Sequence, residues 1–222
     1  MTADLPDVGE RRDVDASPPR PWAASVVLAT GAAVCFVALS LAVVAGATDD
    51  LDRQVRELFR PDDVWSTNQL VFGNVVDGLG PPVAVGLLLL AGVVAAWRHG
   101  SWRPLGEALV LAAVAGCVIG VTKLVFHRED PHGAISTLGG AYPSGHMVML
   151  LVSLGGALLL LRRTARSWWW IPVALAEVLM GVSLLFLAMH WFTDVVGGAL
   201  LGLVLVCLAN AVGPGRLEVG GG

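Results

Sequence analysis

The stretch VVLATGAAVCFVALSLAVVAGA, residues 26–47, carries no charge. It is long enough to cross about 30 Å of hydrocarbon as a helix. It offers no polar face at the 3.6-residue repeat that a soluble bundle needs. Comparable runs recur along the 222 residues, of which 55% are hydrophobic and only 14% charged, with a mean hydropathy of +0.72. A soluble domain of this size cannot bury that much apolar surface. The sequence therefore predicts an all-α integral membrane protein, a bundle of six transmembrane helices near 22–48, 68–97, 105–126, 143–161, 168–189 and 193–213. GLGPP (78–82) should kink the second span or divide it.

The remaining segments follow from composition. Residues 1–21 are polar and Pro-rich and read as a disordered cytoplasmic tail; 22–213 form the membrane domain and 214–222 a C-terminal tail. A cytoplasmic N-terminus puts Arg11, Arg12, Arg20, Arg98, Arg103, Arg162, Arg163, Arg166 and Arg216 on the basic, inner side. Arg53, Arg56, Arg60, Lys123 and Arg128 then lie outside, which favours N-in and C-in. Trp168, Trp169 and Trp170 read as an interfacial anchor. Segment 49–67 reads as a short surface helix whose charges are solvated. Small residues four apart, in GCVIG (116–120) and GGALLG (197–202), would allow close helix contact. A net charge of −4 gives no sign of a nucleic-acid partner. Cys35, Cys117 and Cys207 fall in apolar runs with neither metal nor disulfide spacing.

Against this apolar background, polar groups gather at the outer ends of the spans. His127, His132, His146 and His190 lie there with Lys123, Arg128, Glu129, Asp130, Ser144 and Asp194. Ionisable groups near the hydrocarbon are costly and mark function. In HWFTD (190–194), a spacing of four puts His190 and Asp194 on one helix face. A carboxylate there fixes the imidazole tautomer and leaves the second nitrogen basic. A structural pair at a helix start is the other reading. In PSGH (143–146), Ser144 and Gly145 open a helix with a hydroxyl and free amides, an anion-binding arrangement. His146 beside it suits proton transfer to a leaving oxygen; a plain helix cap with an interfacial histidine is the alternative. Lys123 reaches an anion or snorkels to the interface. The histidines and Asp194 would also suit zinc, but an anion site accounts better for Ser144 and Gly145. No metal or cofactor is expected.

Taken together, these residues resemble the type 2 phosphatidic acid phosphatases, whose pattern is K-x6-R-P, P-S-G-H and S-R-x5-H-x3-D. The middle motif is complete at Pro143, Ser144, Gly145 and His146. SLLFLAMHWFTD matches the third at Ser183, His190 and Asp194, and KLVFHREDP matches the first at Lys123 and Pro131. The resemblance spans about 22–213. It implies a membrane phosphatase acting on a lipid phosphate or polyprenyl diphosphate, with release of phosphate outside. His190 would form a phosphohistidine, Asp194 orient it and His146 protonate the leaving group. Lys123, Ser144 and Gly145 would hold the phosphate. Two family arginines are replaced, by Asp130 and Leu184. At about 1.5–3 kcal/mol for each charged hydrogen bond, their loss is worth roughly two to four powers of ten in rate. Arg128, two residues before Asp130, is the candidate substitute, with His132 if protonated. Transfer of the phospho-head group to another acceptor, or lipid-phosphate binding without turnover, are the alternatives on the same fold.

Overall fold

A computed structural model describes residues 21–135, 139–162 and 167–212. The tails and Arg11, Arg12, Arg20, Arg163, Arg166 and Arg216 lie outside the described residues. Within these limits the chain forms α1 (Pro21–Val44), α2 (Asp49–Phe59), α3 (Thr67–Leu79), α4 (Pro81–His99), α5 (Arg103–Phe126), α6 (Gly145–Leu161), α7 (Trp170–Phe186) and α8 (Phe192–Val212).

Four stretches are long and apolar enough to cross a membrane: Trp22–Val44, Thr67–His99, Arg103–Phe126 and Phe192–Val212. The chain is a multi-pass membrane protein. α6 and α7 are equally apolar but have only 17 residues each. At 1.5 Å per residue each spans about 26 Å, short of the hydrocarbon thickness. The second expected span is divided. Gly80 is extended (φ −63°, ψ 171°) and Pro81 begins a new helix, because the Pro ring cannot continue α3 but suits a first helical position. α3 then packs on α7, and α4 on α5 and α6.

α6 and α8 form the centre of the bundle. Glycines set their separation. A Cβ on Gly198 would stand 2.6 Å from the Ser144 carbonyl oxygen, and one on Gly202 would stand 3.1 Å from Leu151 Cβ. α8 can therefore approach the first turn of α6 only where it lacks side chains. The same expectation fails for GCVIG, since Gly116 and Gly120 face no atom within 4 Å. α1 closes against α8, with Asn210 Nδ2 donating to Ser25 Oγ at 2.7 Å. The chain direction brings the C-terminal end of α5, the N-terminal ends of α6 and α8, and α2 to one end of the bundle.

Candidate active site

The site is built where α6 and α8 begin. The Ser144 amide donates to the Asp194 carbonyl oxygen at 2.9 Å, pinning the two helix starts together. Tyr142, fully buried, braces this junction. Its hydroxyl pairs with Ser40 Oγ at 2.9 Å and its ring meets Phe36 and Phe126. Gly197 leaves room for it, as a Cβ there would lie 2.7 Å from the ring. Burial pushes the Tyr142 phenol above its ordinary range, so it stays neutral.

The Ser144 hydroxyl is buried and has no hydrogen-bond partner among the described residues. The start of α6 adds amides that the helix itself does not satisfy. Lys123 crosses from α5 to this point. Its Cε lies 3.6 Å from where a Gly145 Cβ would be, and its Nζ donates to the Gly140 carbonyl at 2.6 Å.

The rings of His146 and His190 stand edge to face, with centroids 6.0 Å apart and an interplanar angle of 71°. His190 Nδ1 lies 3.5 Å from Asp194 Oδ2. The two side chains come close, as their spacing suggests, but Nδ1 has no hydrogen-bond partner among the described residues, and the two do not share a helix face. His190 sits in the 187–190 turn before α8, which starts at Phe192. The turn folds back so that Asp194 Oδ2 accepts from the Trp191 amide at 2.9 Å.

Behind this pair lies a charged cluster. Arg128 Nη1 donates to Asp194 Oδ1 at 2.8 Å and to Thr193 Oγ1 at 2.7 Å, and Nη2 donates to Asp52 Oδ2 at 2.7 Å. Burial weakens the charged form of Arg128, but Asp194 and Asp52 outweigh it and raise the guanidinium above its ordinary range. Each Nη nitrogen of Arg128 thus meets a carboxylate, while its guanidinium lies over the Trp191 ring. The expectation that the charges of 49–67 are merely solvated is corrected at Asp52, which is 1% exposed and reaches inward from α2. Charge pattern alone could not separate it from its exposed neighbours. The helical period could have marked it, since Asp52 lies three and seven residues before Val55 and Phe59, which pack against the core.

The replaced arginine positions have local reasons. Asp130 Oδ1 accepts from the His132 and Ala134 amides, at 2.8 and 2.9 Å, so it shapes its own turn. Leu184 is fully buried in an apolar cluster with Met147, Leu150 and Met180. His132 faces Asp63 instead of the histidine pair, at 3.9 Å. His127, exposed, ends α5 in a left-handed conformation (φ 46°). Asp77 lines a cavity of about 260 Å³ with Trp65, Val76, Leu187 and Met189. Asp52, Arg128 and Trp191 border a second, of about 370 Å³.

The sequence profile of the PAP2 superfamily matches residues 104–217. Among solved structures, the chain is similar to the first transmembrane PAP2-type phosphatidylglycerolphosphate phosphatase from Bacillus subtilis, with a TM-score of 0.71 and 21% identity over 81% of this chain and 92% of that one. No curated protein matches the sequence significantly.

Proposed function

This chain belongs to the PAP2 superfamily, and from that membership we propose that it is a membrane phosphatase that hydrolyses a lipid phosphate or polyprenyl diphosphate through a phosphohistidine. The observation that carries this reading is the facing pair His146 and His190, 6.0 Å apart, with Asp194 behind His190. Asp194 keeps the proton on Nδ1, so Nε2 of His190 attacks phosphorus. The bond to the leaving oxygen breaks as His146 gives it a proton. Water then attacks the phosphohistidine, with His146 as base, and phosphate leaves. Ser144 Oγ, the amides at the start of α6 and Lys123 bind the phosphoryl oxygens, a use that gives the buried hydroxyl of Ser144 its partner. Lys123 moves from the Gly140 carbonyl to do so. Arg128 spends three N–H groups on Asp194, Thr193 and Asp52, and its remaining N–H groups are the ones that reach the phosphate. The catalytic end of the bundle faces the extracytoplasmic side, in keeping with the basic flanks at the other end.

The test is phosphate release by the detergent-solubilised protein from phosphatidate, phosphatidylglycerolphosphate and a polyprenyl diphosphate. Release well above that of His190→Ala on at least one lipid is expected; none above that control on all three would overturn the reading. A second reading, transfer of the phospho-head group, draws on the apolar Leu184 and the turn-forming Asp130. Fewer cations suit a diester, which carries less charge than a monoester. Labelled head group appearing on a second lipid separates the two.

A further inference from the structure

α2 has three acidic residues in its first turn, Asp49, Asp50 and Asp52, and only Asp52 is buried. Its Oδ1 accepts from the Thr193 amide at 2.9 Å, and its Oδ2 from Thr193 Oγ1 and Arg128 Nη2, both at 2.7 Å. Asp52 therefore grips the first turn of α8 and one edge of the guanidinium at once. The other edge of Arg128 is left for Asp194 Oδ1. A guanidinium free of Asp52 would close on Asp194 with two nitrogens, the geometry that Arg–carboxylate pairs favour. That would pull Oδ2 of Asp194 off the Trp191 amide, which donates to it at 2.9 Å, and further from Nδ1 of His190, which stands at 3.5 Å without a hydrogen bond among the described residues.

We propose that Asp52 is a positioning residue: by holding Arg128 Nη2 and Thr193, it restricts Arg128 to a one-edged hold on Asp194 and so keeps Asp194 Oδ2 turned to His190. A helix lying outside the paired histidines thereby sets their tautomer. The inference rests on the reading of His190 as nucleophile, which needs the proton on Nδ1. Asp49 lies 4.0 Å from Arg128 Nη2, with Arg53 and Glu129 beside it; Lys123 and His146 on α5 and α6, Arg60 held by Asp63 and the Leu187 carbonyl, and His132 facing Asp63 are further charged or titratable groups near this end. The variants below leave them untouched.

The experiment is ¹⁵N NMR of the full chain in detergent, with ring-labelled histidine and the His190 signals identified by their loss in His190→Ala. It is run beside kcat and KM for phosphate release. The wild-type chain shows the Nδ1–H tautomer. Asp52→Asn moves His190 toward Nε2–H and lowers kcat about tenfold, with KM changed less than about twofold. Asp50→Asn removes the same charge from an exposed site that, among the described residues, pairs with Arg53, and leaves both readouts unchanged. Asp52→Glu restores the Nδ1–H signature. Arg128→Lys, whose single nitrogen cannot close on both oxygens of Asp194, restores the Nδ1–H signature in the Asp52→Asn background, and a shift that persists there overturns the proposal; Asp52→Ser takes the place of Asp52→Asn if that variant does not fold. A wild-type tautomer in Asp52→Asn overturns the proposal, and does so even where kcat falls, since that loss belongs to packing. A tautomer shift in a protein that releases no phosphate from any of the three lipids upholds the positioning role and overturns the phosphatase reading instead.

Discussion

At the scale of single residues, the site separates a nucleophile from an acid by what stands beside each imidazole. His190 has a carboxylate at 3.5 Å; His146 has the other histidine ring and the first turn of α6. The acid matters most when the leaving group is basic. His146→Ala should slow phosphatidate hydrolysis, which expels an alkoxide, by about a hundredfold or more. It should slow polyprenyl diphosphate hydrolysis, which expels a phosphate, by less than about tenfold. Steady-state rates on the two lipids check this, and equal losses would remove His146 from the acid's role. These residues were legible because their chemistry is local: PSGH and HWFTD each put the needed groups within a few positions. The period of α2 puts Asp52 on the inward face with Val55 and Phe59, but its partners Arg128 and Thr193, 76 and 141 positions away, were not legible. Leu184 could be seen to lack charge, but only its burial with Met147 and Met180 shows that the position belongs to the core.

Among the helices, the decisive contact is α8 against the start of α6. Gly198 meets backbone, at 2.6 Å from the Ser144 carbonyl, whereas Gly202 meets Leu151 Cβ at 3.1 Å and Val148 Cα at 3.4 Å, a gap that a shift of a few tenths of an ångström relieves. Gly198→Ala should therefore destabilise the protein by roughly 1–3 kcal/mol, lowering Tm by about 4–10 °C, and reduce phosphate release because Ser144 and Asp194 shift apart. Gly202→Ala should cost less than half as much. Thermal unfolding in detergent compares the two, and equal effects would mean that the α6–α8 spacing does not depend on Gly198. Helix positions were legible from apolar runs, and the break at GLGPP from proline sterics. What the runs could not give is which glycines meet a neighbour. Gly116 and Gly120 have the same spacing as Gly198 and Gly202 yet face open space. Nor could spacing show that His190 belongs to a turn, because four residues bring side chains together in a reversed turn as well as on a helix.

For the whole molecule, helix direction places the paired histidines at one end and the α4–α5 connection, with Trp97 and Trp102, at the other. The proposed orientation puts the histidine end outside. In a cysteine-free background, His127→Cys should react with a membrane-impermeant maleimide on intact cells, and His99→Cys should react only after the cells are opened. The reverse pattern would place the site on the cytoplasmic side. The bundle was legible as a membrane protein from composition, but not where α7 ends, because apolar residues 187–189 continue past Phe186; α6 stops with its apolar run at Leu161, just before Arg162. The central claim concerns one bond, between phosphorus and an imidazole nitrogen of residue 190. It is tested most directly by mixing the protein with ³²P-labelled phosphatidate, quenching in alkali within the first turnover, and mapping the label. Label is expected on the peptide containing His190, absent in His190→Ala and discharged when turnover continues. Phosphate release by the wild-type protein with no label on His190 at any quench time would contradict the claim.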